Sequence, residues 1–149
     1  MKYRDLKPAN ILLAGDDYLR LTDFGQAMED FELSKAFVGS PPYLSPEMLT
    51  RKGIGKPADV YQIGCVFYEM LAGYPPYYSD RIADLFSRIK YAKLKFPKYV
   101  SFEARGLCTK MLSRDPAERP SLSEIKEHEL FEGINWEKLL DKEIESNTN

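Results

Sequence analysis

The feature that most constrains the fold is a stretch over residues 58–72 that is apolar on nearly every side. If this stretch is helical, no face of it is left polar, and a helix of that kind is one that other elements cover. Pro57 suits the first turn of such a helix, and Gly73 suits the cap at its carboxyl end. The sequence therefore predicts a central buried helix, whose apolar residues are Val60, Ile63, Cys65, Val66, Phe67, Met70 and Leu71.

Three further helices are predicted from capping residues that precede apolar residues at helical spacing. Ser79 and Ser101 can each cap a helix, and Ser121 with Glu124 forms a capping box for another. The apolar residues that follow these caps are Ile82, Leu85, Phe86 and Ile89, then Leu107, Cys108, Met111 and Leu112, and finally Leu122 and Ile125. Most of the chain after residue 57 is thus expected to be helical.

Before the buried helix, the sequence predicts a β-hairpin and then a long irregular stretch. Residues 11–14 are apolar, residues 15–17 have turn chemistry, and residues 18–22 alternate between apolar and polar. Residues 25–46 show no sustained period and contain several Gly and Pro residues. A long irregular stretch in a compact domain is usually functional. The predicted fold class is α+β, mostly helical with one short hairpin.

Composition narrows the class of protein. The 149 residues have a net charge of -2 and a pI of about 5.5, which argues against nucleic acid as the main partner. Cys65 and Cys108 lack the spacing of a zinc or redox motif, so a reducing, intracellular and cytoplasmic location is expected. No apolar run reaches membrane-spanning length. No pattern predicts an oligomeric state.

Polar residues near the start of the chain form a chemically coherent set. Asp5, Lys7 and Asn10 lie within six positions, and Asp23 follows after the predicted hairpin. Together they can supply a base, a cation and two metal ligands around one phosphate group.

Five motifs in one order give these residues a family context. The chain resembles the eukaryotic protein kinases over residues 3–140. The motifs are Tyr3-Arg4-Asp5-Leu6-Lys7-Pro8-Ala9-Asn10, Asp23-Phe24-Gly25, Ser45-Pro46-Glu47, Asp59-Val60-Tyr61-Gln62-Ile63-Gly64 and Asp115-Pro116-Ala117-Glu118-Arg119-Pro120. They resemble the catalytic loop, the metal-binding triplet, the end of the activation segment, the buried helix and the Arg site of that family.

The resemblance implies a Ser/Thr protein kinase that uses ATP and Mg²⁺ and acts on a protein substrate. Asp5 would accept or orient the proton of the substrate hydroxyl, and Lys7 would offset charge on the transferred phosphoryl group. Asn10 and Asp23 would provide oxygen ligands to Mg²⁺. Gly25 would permit the backbone turn that follows the metal ligand.

Other residues have structural roles in the family. Glu47 and Arg119 would form a buried ion pair, although either charge alone would be assigned to the surface. Asp59 would hold the backbone of the catalytic loop, and it also suits a helix N-terminus.

Regulation and substrate binding are also implied. Arg4 resembles the arginine that receives an activation-loop phosphate, for which Ser34 is the candidate. The alternatives are that Ser34 is an ordinary loop serine, or that constitutive negative charge comes from Glu29, Asp30 and Glu32. Ser40 would contact Asp5 and Lys7 and orient substrate. Glu69 matches a glutamate that selects basic substrates.

The subgroup hints favour the cyclic-nucleotide-dependent (AGC) group. They are Tyr3, the run Phe37-Val38-Gly39-Ser40, the run Gly73-Tyr74-Pro75-Pro76 and the ending Phe131-Glu132-Gly133-Ile134-Asn135-Trp136. Ala9 replaces a second substrate-selecting glutamate of that group.

The motifs present correspond to the large C-terminal lobe of a kinase. Residues 1–140 are expected to be a partial kinase domain and residues 141–149 a polar tail. The Gly-rich loop, the strand Lys and its helix Glu do not occur in the sequence, nor does the helix that precedes the catalytic loop. The 149 residues alone are therefore expected to be inactive and to expose apolar surface. The alternative is a catalytically dead lobe that binds partners through residues 79–100.

Overall fold

The computed structural model describes residues 1–16, 18–29, 39–52 and 54–141. Strands β1 (Ile11–Leu13) and β2 (Leu19–Leu21) precede helices α1 (Pro46–Thr50), α2 (Lys56–Ala72), α3 (Ile82–Tyr91), α4 (Phe102–Met111), α5 (Leu122–Lys126) and α6 (Trp136–Leu140). Short 3-10 turns lie at Pro8–Asn10, Phe24–Gln26, Pro41–Tyr43, Pro116–Glu118 and Glu129–Phe131. The prediction of a mainly helical α+β chain with one hairpin is confirmed.

Helix α2 is the central element, as its apolar sequence predicts. Its buried residues include Ala58, Val60, Tyr61, Gln62, Gly64, Cys65 and Tyr68. Gly73 ends the helix with a left-handed φ of 84°, which glycine adopts without steric cost. The predicted burial on every side fails at Met70, which is 79% exposed in the last turn of the helix.

Helices α2 and α4 approach closely at a glycine. A Cβ atom added to Gly64 would lie 2.9 Å from Cβ of Met111 and 3.1 Å from Cδ2 of Leu112. The thiol of Cys108 also contacts the carbonyl oxygen of Gly64 at 3.7 Å. The lack of a side chain at Gly64 therefore sets the distance between the two helices.

The predicted helix caps are correct at α4 and α5 and wrong at α3. Ser101 accepts the N–H of Ala104, and the capping box of Ser121 with Glu124 is complete. Helix α3 begins at Ile82 after Arg81, not after Ser79. Residues 78–80 stay outside the helix; there the Tyr78 hydroxyl donates to Asp80 at 2.7 Å, and the Tyr78 carbonyl oxygen accepts from Arg88.

The hairpin follows directly from the catalytic-loop motif. Its antiparallel register pairs Ile11 with Leu21 and Leu13 with Leu19. Apolar surface, expected from the sequence, is exposed here at Leu12, Leu13, Leu19 and Leu21. In the part of the chain that the structure describes, no helix is long and apolar enough to cross a membrane.

Candidate active site

The loop formed by residues 3–10 is held by the first turn of α2. The two carboxylate oxygens of Asp59 accept the backbone N–H groups of Tyr3 and Arg4, each at 2.8 Å. Arg4 adopts a left-handed φ of 69°, which is uncommon for a side chain of its size. Burial raises the pKa of Asp59, while the two N–H groups oppose that shift.

A second residue of α2 holds the same loop, and the sequence did not identify its role. The Gln62 side chain accepts the N–H of Leu6 at 3.0 Å and donates to the carbonyl oxygen of Arg4 at 3.1 Å. Gln62 is fully buried and lies one helical turn after Asp59, so both point to one face. A polar residue inside an otherwise apolar helix was the available signal.

Asp5 is at the centre of a closed set of polar contacts. Lys7 Nζ lies 3.0 Å from Asp5 Oδ2 and donates to Ser40 Oγ at 2.7 Å. The Ser40 hydroxyl in turn donates to Asp5 Oδ1 at 3.2 Å. The Asp5 side chain is 9% exposed and that of Lys7 is 24% exposed. The arrangement presents a carboxylate and a cation at one edge of the loop.

Asn10 connects Asp5 to the hairpin. Its amide nitrogen donates to the Asp5 carbonyl oxygen at 2.9 Å and to Asp5 Oδ2 at 3.3 Å. With that nitrogen engaged, the amide oxygen is the Asn10 atom that could coordinate a cation. The Asn10 carbonyl accepts the N–H of Thr22 at 3.0 Å, so Asp23 follows immediately across the hairpin.

The left-handed turn after the hairpin falls on Asp23 itself. Asp23 has a φ of 58°, while Gly25 lies in a 3-10 turn without a positive φ. The expectation that Gly25 permits the backbone turn is therefore wrong, because the positive φ belongs to Asp23. The N–H of Gly25 donates to Asp23 Oδ1 at 3.3 Å, and a Cβ at Gly25 would lie 3.2 Å from that oxygen. Gly25 leaves space for the exposed carboxylate.

Tyr3 contacts the residues on both sides of Asp23. Its hydroxyl donates to the Thr22 carbonyl oxygen, and its ring packs edge-to-face on Phe24 with centroids 5.3 Å apart. Burial raises the pKa of Tyr3, and the charges of Asp5 and Asp23 add to that shift. The hydroxyl therefore stays protonated and fixes the segment before Asp23.

Of the two candidate regulatory residues, Arg4 and Ser34, the structure describes Arg4. The guanidinium of Arg4 donates through Nε to the carbonyl oxygen of Gln26. Ser34 lies outside the described residues, so no contact between the two is described. Gly39, at the near end of the described segment, has a φ of 104°, and a Cβ there would lie 3.1 Å from the Arg4 carbonyl oxygen.

A tyrosine links the segment of Ser40 to the candidate substrate-binding residue Glu69. The Tyr43 hydroxyl donates to Glu69 Oε2 at 2.6 Å. Burial and the adjacent carboxylate both raise the pKa of Tyr43, so it remains a donor. The sequence did not assign this role to Tyr43. Glu69 is half-buried on α2, and its second oxygen could still meet a basic side chain.

Glu47 and Arg119 form a bidentate pair far from each other in sequence. Arg119 donates to the two Glu47 carboxylate oxygens at 2.6 and 2.8 Å. The guanidinium also donates to the carbonyl oxygens of Pro57 and Ser113, and it lies 4.9 Å from the ring centroid of Tyr61. The pair therefore connects α1, α2 and the Pro116–Glu118 turn.

Comparison with known proteins decides the family. The protein kinase domain model matches residues 1–131, which is most of the chain. The chain belongs to the protein kinase family. By family it is a serine/threonine kinase of the AGC type, and the fold described above is that of the C-terminal part of a kinase domain.

Relatives of this kinase share about two residues in five with it. A RAC family serine/threonine-protein kinase homolog of Dictyostelium discoideum is 41% identical over 95% of the chain and 33% of the relative. The serine/threonine protein kinase ypkA of Aspergillus fumigatus is 41% identical over 96% of the chain and 24% of the relative. The cAMP-dependent protein kinase type 3 of Saccharomyces cerevisiae is 38% identical over 97% of the chain and 37% of the relative. The chain thus spans between 24% and 37% of the length of these three relatives.

Proposed function

We propose that this kinase transfers the γ-phosphate of ATP to a serine or threonine hydroxyl of a protein substrate. The observation that supports this best is the contact set of Asp5, Lys7 and Ser40, with Asn10 on the other side of Asp5. Phosphoryl transfer depends on positioning and on charge stabilisation, and this set provides both in a nearly buried loop.

Asp5 is the residue that would receive the incoming hydroxyl. Its Oδ1 accepts the Ser40 hydroxyl, so a substrate hydroxyl would replace or join that donor. Asp5 would then orient the hydroxyl and accept its proton as the oxygen bonds to the γ-phosphorus of ATP and the bond from that phosphorus to the bridging oxygen of ADP breaks. Lys7 would stabilise negative charge on the phosphoryl oxygens, since its ammonium is already fixed by Asp5 and Ser40.

Asn10 and Asp23 are the residues proposed to hold Mg²⁺. The fit rests on an amide oxygen and an exposed carboxylate, which are hard oxygen donors of the kind that Mg²⁺ prefers. When bound, Mg²⁺ would neutralise charge on the phosphate oxygens of ATP. The hydrogen bond from Thr22 to Asn10 keeps the two ligands adjacent.

Substrate preference, domain limits and location are part of the same proposal. Glu69 would receive a basic side chain of the substrate, and Arg4 a phosphate on Ser34. The kinase domain would extend over residues 1–140, with a polar tail at 141–149.

A cytoplasmic location is supported by Cys65 and Cys108, which are both free thiols. Burial raises the pKa of Cys108 to about 12, so this thiol is no candidate nucleophile.

The test is Mg²⁺-dependent phosphoryl transfer by the protein expressed from its complete open reading frame. Radiolabelled ATP and a mixture of Ser/Thr peptides should give labelled peptide, and chelation of Mg²⁺ should abolish the labelling. Asp23→Asn should lower transfer, whereas Asp80→Asn, an exposed aspartate outside the site, should not. Nucleotide binding without any transfer would contradict the proposal and favour a binding module.

A further inference from the structure

Positive charge is concentrated in one short part of an otherwise acidic chain. Residues 88–114 contain eight Lys or Arg residues and one acidic residue, Glu103. The whole chain has 21 basic and 23 acidic residues, so the remainder is strongly acidic. Such an asymmetry creates a local field that net charge alone conceals.

Five of these cations line two neighbouring cavities. The larger encloses about 820 Å³ and includes Lys93, Lys110 and Arg114 in its wall. The smaller encloses about 420 Å³ and includes Arg88, Lys93 and Lys95. Lys93 and Tyr77 belong to both walls, so the cavities adjoin each other. We call this surface the basic groove, defined by Arg88, Lys93, Lys95, Lys110 and Arg114.

Within the part of the chain that is described, the cations of the basic groove form no close ion pair, although Glu124 attracts Lys110 from outside both cavities. No carboxylate of the described residues lies within 4.0 Å of the nitrogens of these five side chains. Arg88 donates to the Tyr78 carbonyl oxygen, and Arg114 donates to those of Ile89 and Ala92. Carbonyl oxygens satisfy the donors and fix the guanidinium groups, but they bring no net negative charge.

Two acidic residues lie at the larger cavity and are occupied by local contacts. Asp115 accepts the N–H of Ala117 at 2.9 Å, and Glu118 accepts the Ser113 hydroxyl at 2.6 Å. They line the larger cavity and do not line the smaller one. The net charge of the combined surface therefore stays positive.

Tyrosines give the groove a second property. Tyr74 and Tyr77 line the smaller cavity together with the cations, and the Arg114 guanidinium lies 6.0 Å from the ring centroid of Tyr77. Aromatic rings beside fixed cations suit a ligand with alternating apolar and acidic groups. A concave surface fits a peptide segment better than it fits a flat bilayer.

We propose that the basic groove binds an acidic segment of a partner protein, with Glu or Asp side chains on the five cations and apolar side chains on the tyrosines. This inference does not depend on phosphoryl transfer, because the groove is formed by α3, α4 and the segments around them, and not by residues 3–23. Loss of phosphoryl transfer would therefore leave the groove intact, and loss of the groove would leave Asp5 in place.

The experiment measures peptide binding by fluorescence anisotropy. The probe is a labelled peptide of about twelve residues in which Glu and Asp alternate with Tyr and Leu. The double variant Lys93→Glu with Lys110→Glu should bind it at least about tenfold more weakly than wild type. The control is Lys52→Glu with Lys138→Glu, which changes net charge equally at exposed lysines outside both cavities. This control should keep wild-type affinity.

Three results would overturn the proposal. The first is equal weakening in both double variants, which would mean attraction by net charge alone. The second is the absence of saturable binding by wild type. The third is lysine-dependent binding to phosphatidylserine vesicles that the acidic peptide does not displace, because the partner would then be a membrane surface. Circular dichroism and melting of each variant exclude unfolding as the cause.

Discussion

The carboxylate of Asp59 accepts the backbone N–H of Arg4 at 2.8 Å, across 55 positions of sequence. This contact fixes the residue immediately before Asp5 in a left-handed conformation. Because Arg4 precedes the proposed base, the buried helix α2 determines where the Asp5 carboxylate lies. Loss of the contact should therefore affect catalysis although Asp59 does not itself touch the substrate.

Asp59→Asn should destabilise the protein and lower activity. One carboxylate oxygen becomes an amide nitrogen that faces a backbone N–H, which leaves a buried donor without an acceptor. We expect a loss of about 1–3 kcal/mol in the free energy of unfolding and a lower kcat with a smaller change in KM. Urea denaturation and steady-state kinetics test this. Asp84→Asn, on the exposed side of α3, is the matched control and should change neither quantity.

Asp59 also predicts a pH dependence of stability. Burial raises its pKa in the folded protein above the ordinary value of about 3.9. Between those two values the folded state holds a proton that the unfolded state has lost, so stability falls as pH rises through that interval. The difference in unfolding free energy between wild type and Asp59→Asn should therefore decrease as pH rises above about 4. A difference that grows with pH would show that the N–H groups of Tyr3 and Arg4 outweigh burial.

The pair of Glu47 and Arg119 should be costly to break and less costly to replace. Arg119→Met leaves a buried carboxylate without its partner, and we expect a loss of about 3–5 kcal/mol. Adding Glu47→Gln should recover part of that loss, which a double-mutant cycle measures by chemical denaturation. The control Arg81→Met breaks an exposed pair with Asp84 and should have little effect. Additive effects at Glu47 and Arg119 would contradict the coupling.

Two glycines give a sharp comparison of packing. Gly64→Ala places a methyl group 2.9 Å from Met111 and should cost about 1–3 kcal/mol as α2 and α4 separate. Gly106→Ala, in the interior of α4, meets nothing within 4 Å and should stabilise the helix by about 0.5–1 kcal/mol. Thermal unfolding of the two variants measures both. Equal effects of the same sign would contradict the close approach at Gly64.

Local features of the fold were predictable because their causes are local. The cap at Ser101 and the capping box of Ser121 use partners three residues away, and Gly73 ends α2 by its own backbone freedom. The start of α3 was not predictable, because the segment before it is contacted by Arg88, which donates to the Tyr78 carbonyl oxygen from the other end of the helix. A propensity-based cap at Ser79 cannot include that contact.

In the candidate site, too, some residues were predictable from the sequence and others were not. The identities of Asp5, Lys7 and Asn10 follow from their chemistry and spacing, whereas Ser40 was assigned through the family resemblance. The role of Gln62 was missed because its partner Leu6 is 56 positions away. Spacing within one motif indicates which residues share a helix face, but not which distant backbone groups that face will meet.

The measurement that tests the central claim most directly is the activity of Asp5→Asn. Asn keeps the size of the side chain but removes the charge that pairs with Lys7 and the acceptor for the substrate proton. We expect kcat to fall by about 10²–10⁴ while ATP affinity and the far-ultraviolet circular dichroism spectrum stay unchanged. Activity within a factor of about two of wild type would contradict the assignment of Asp5 as the base.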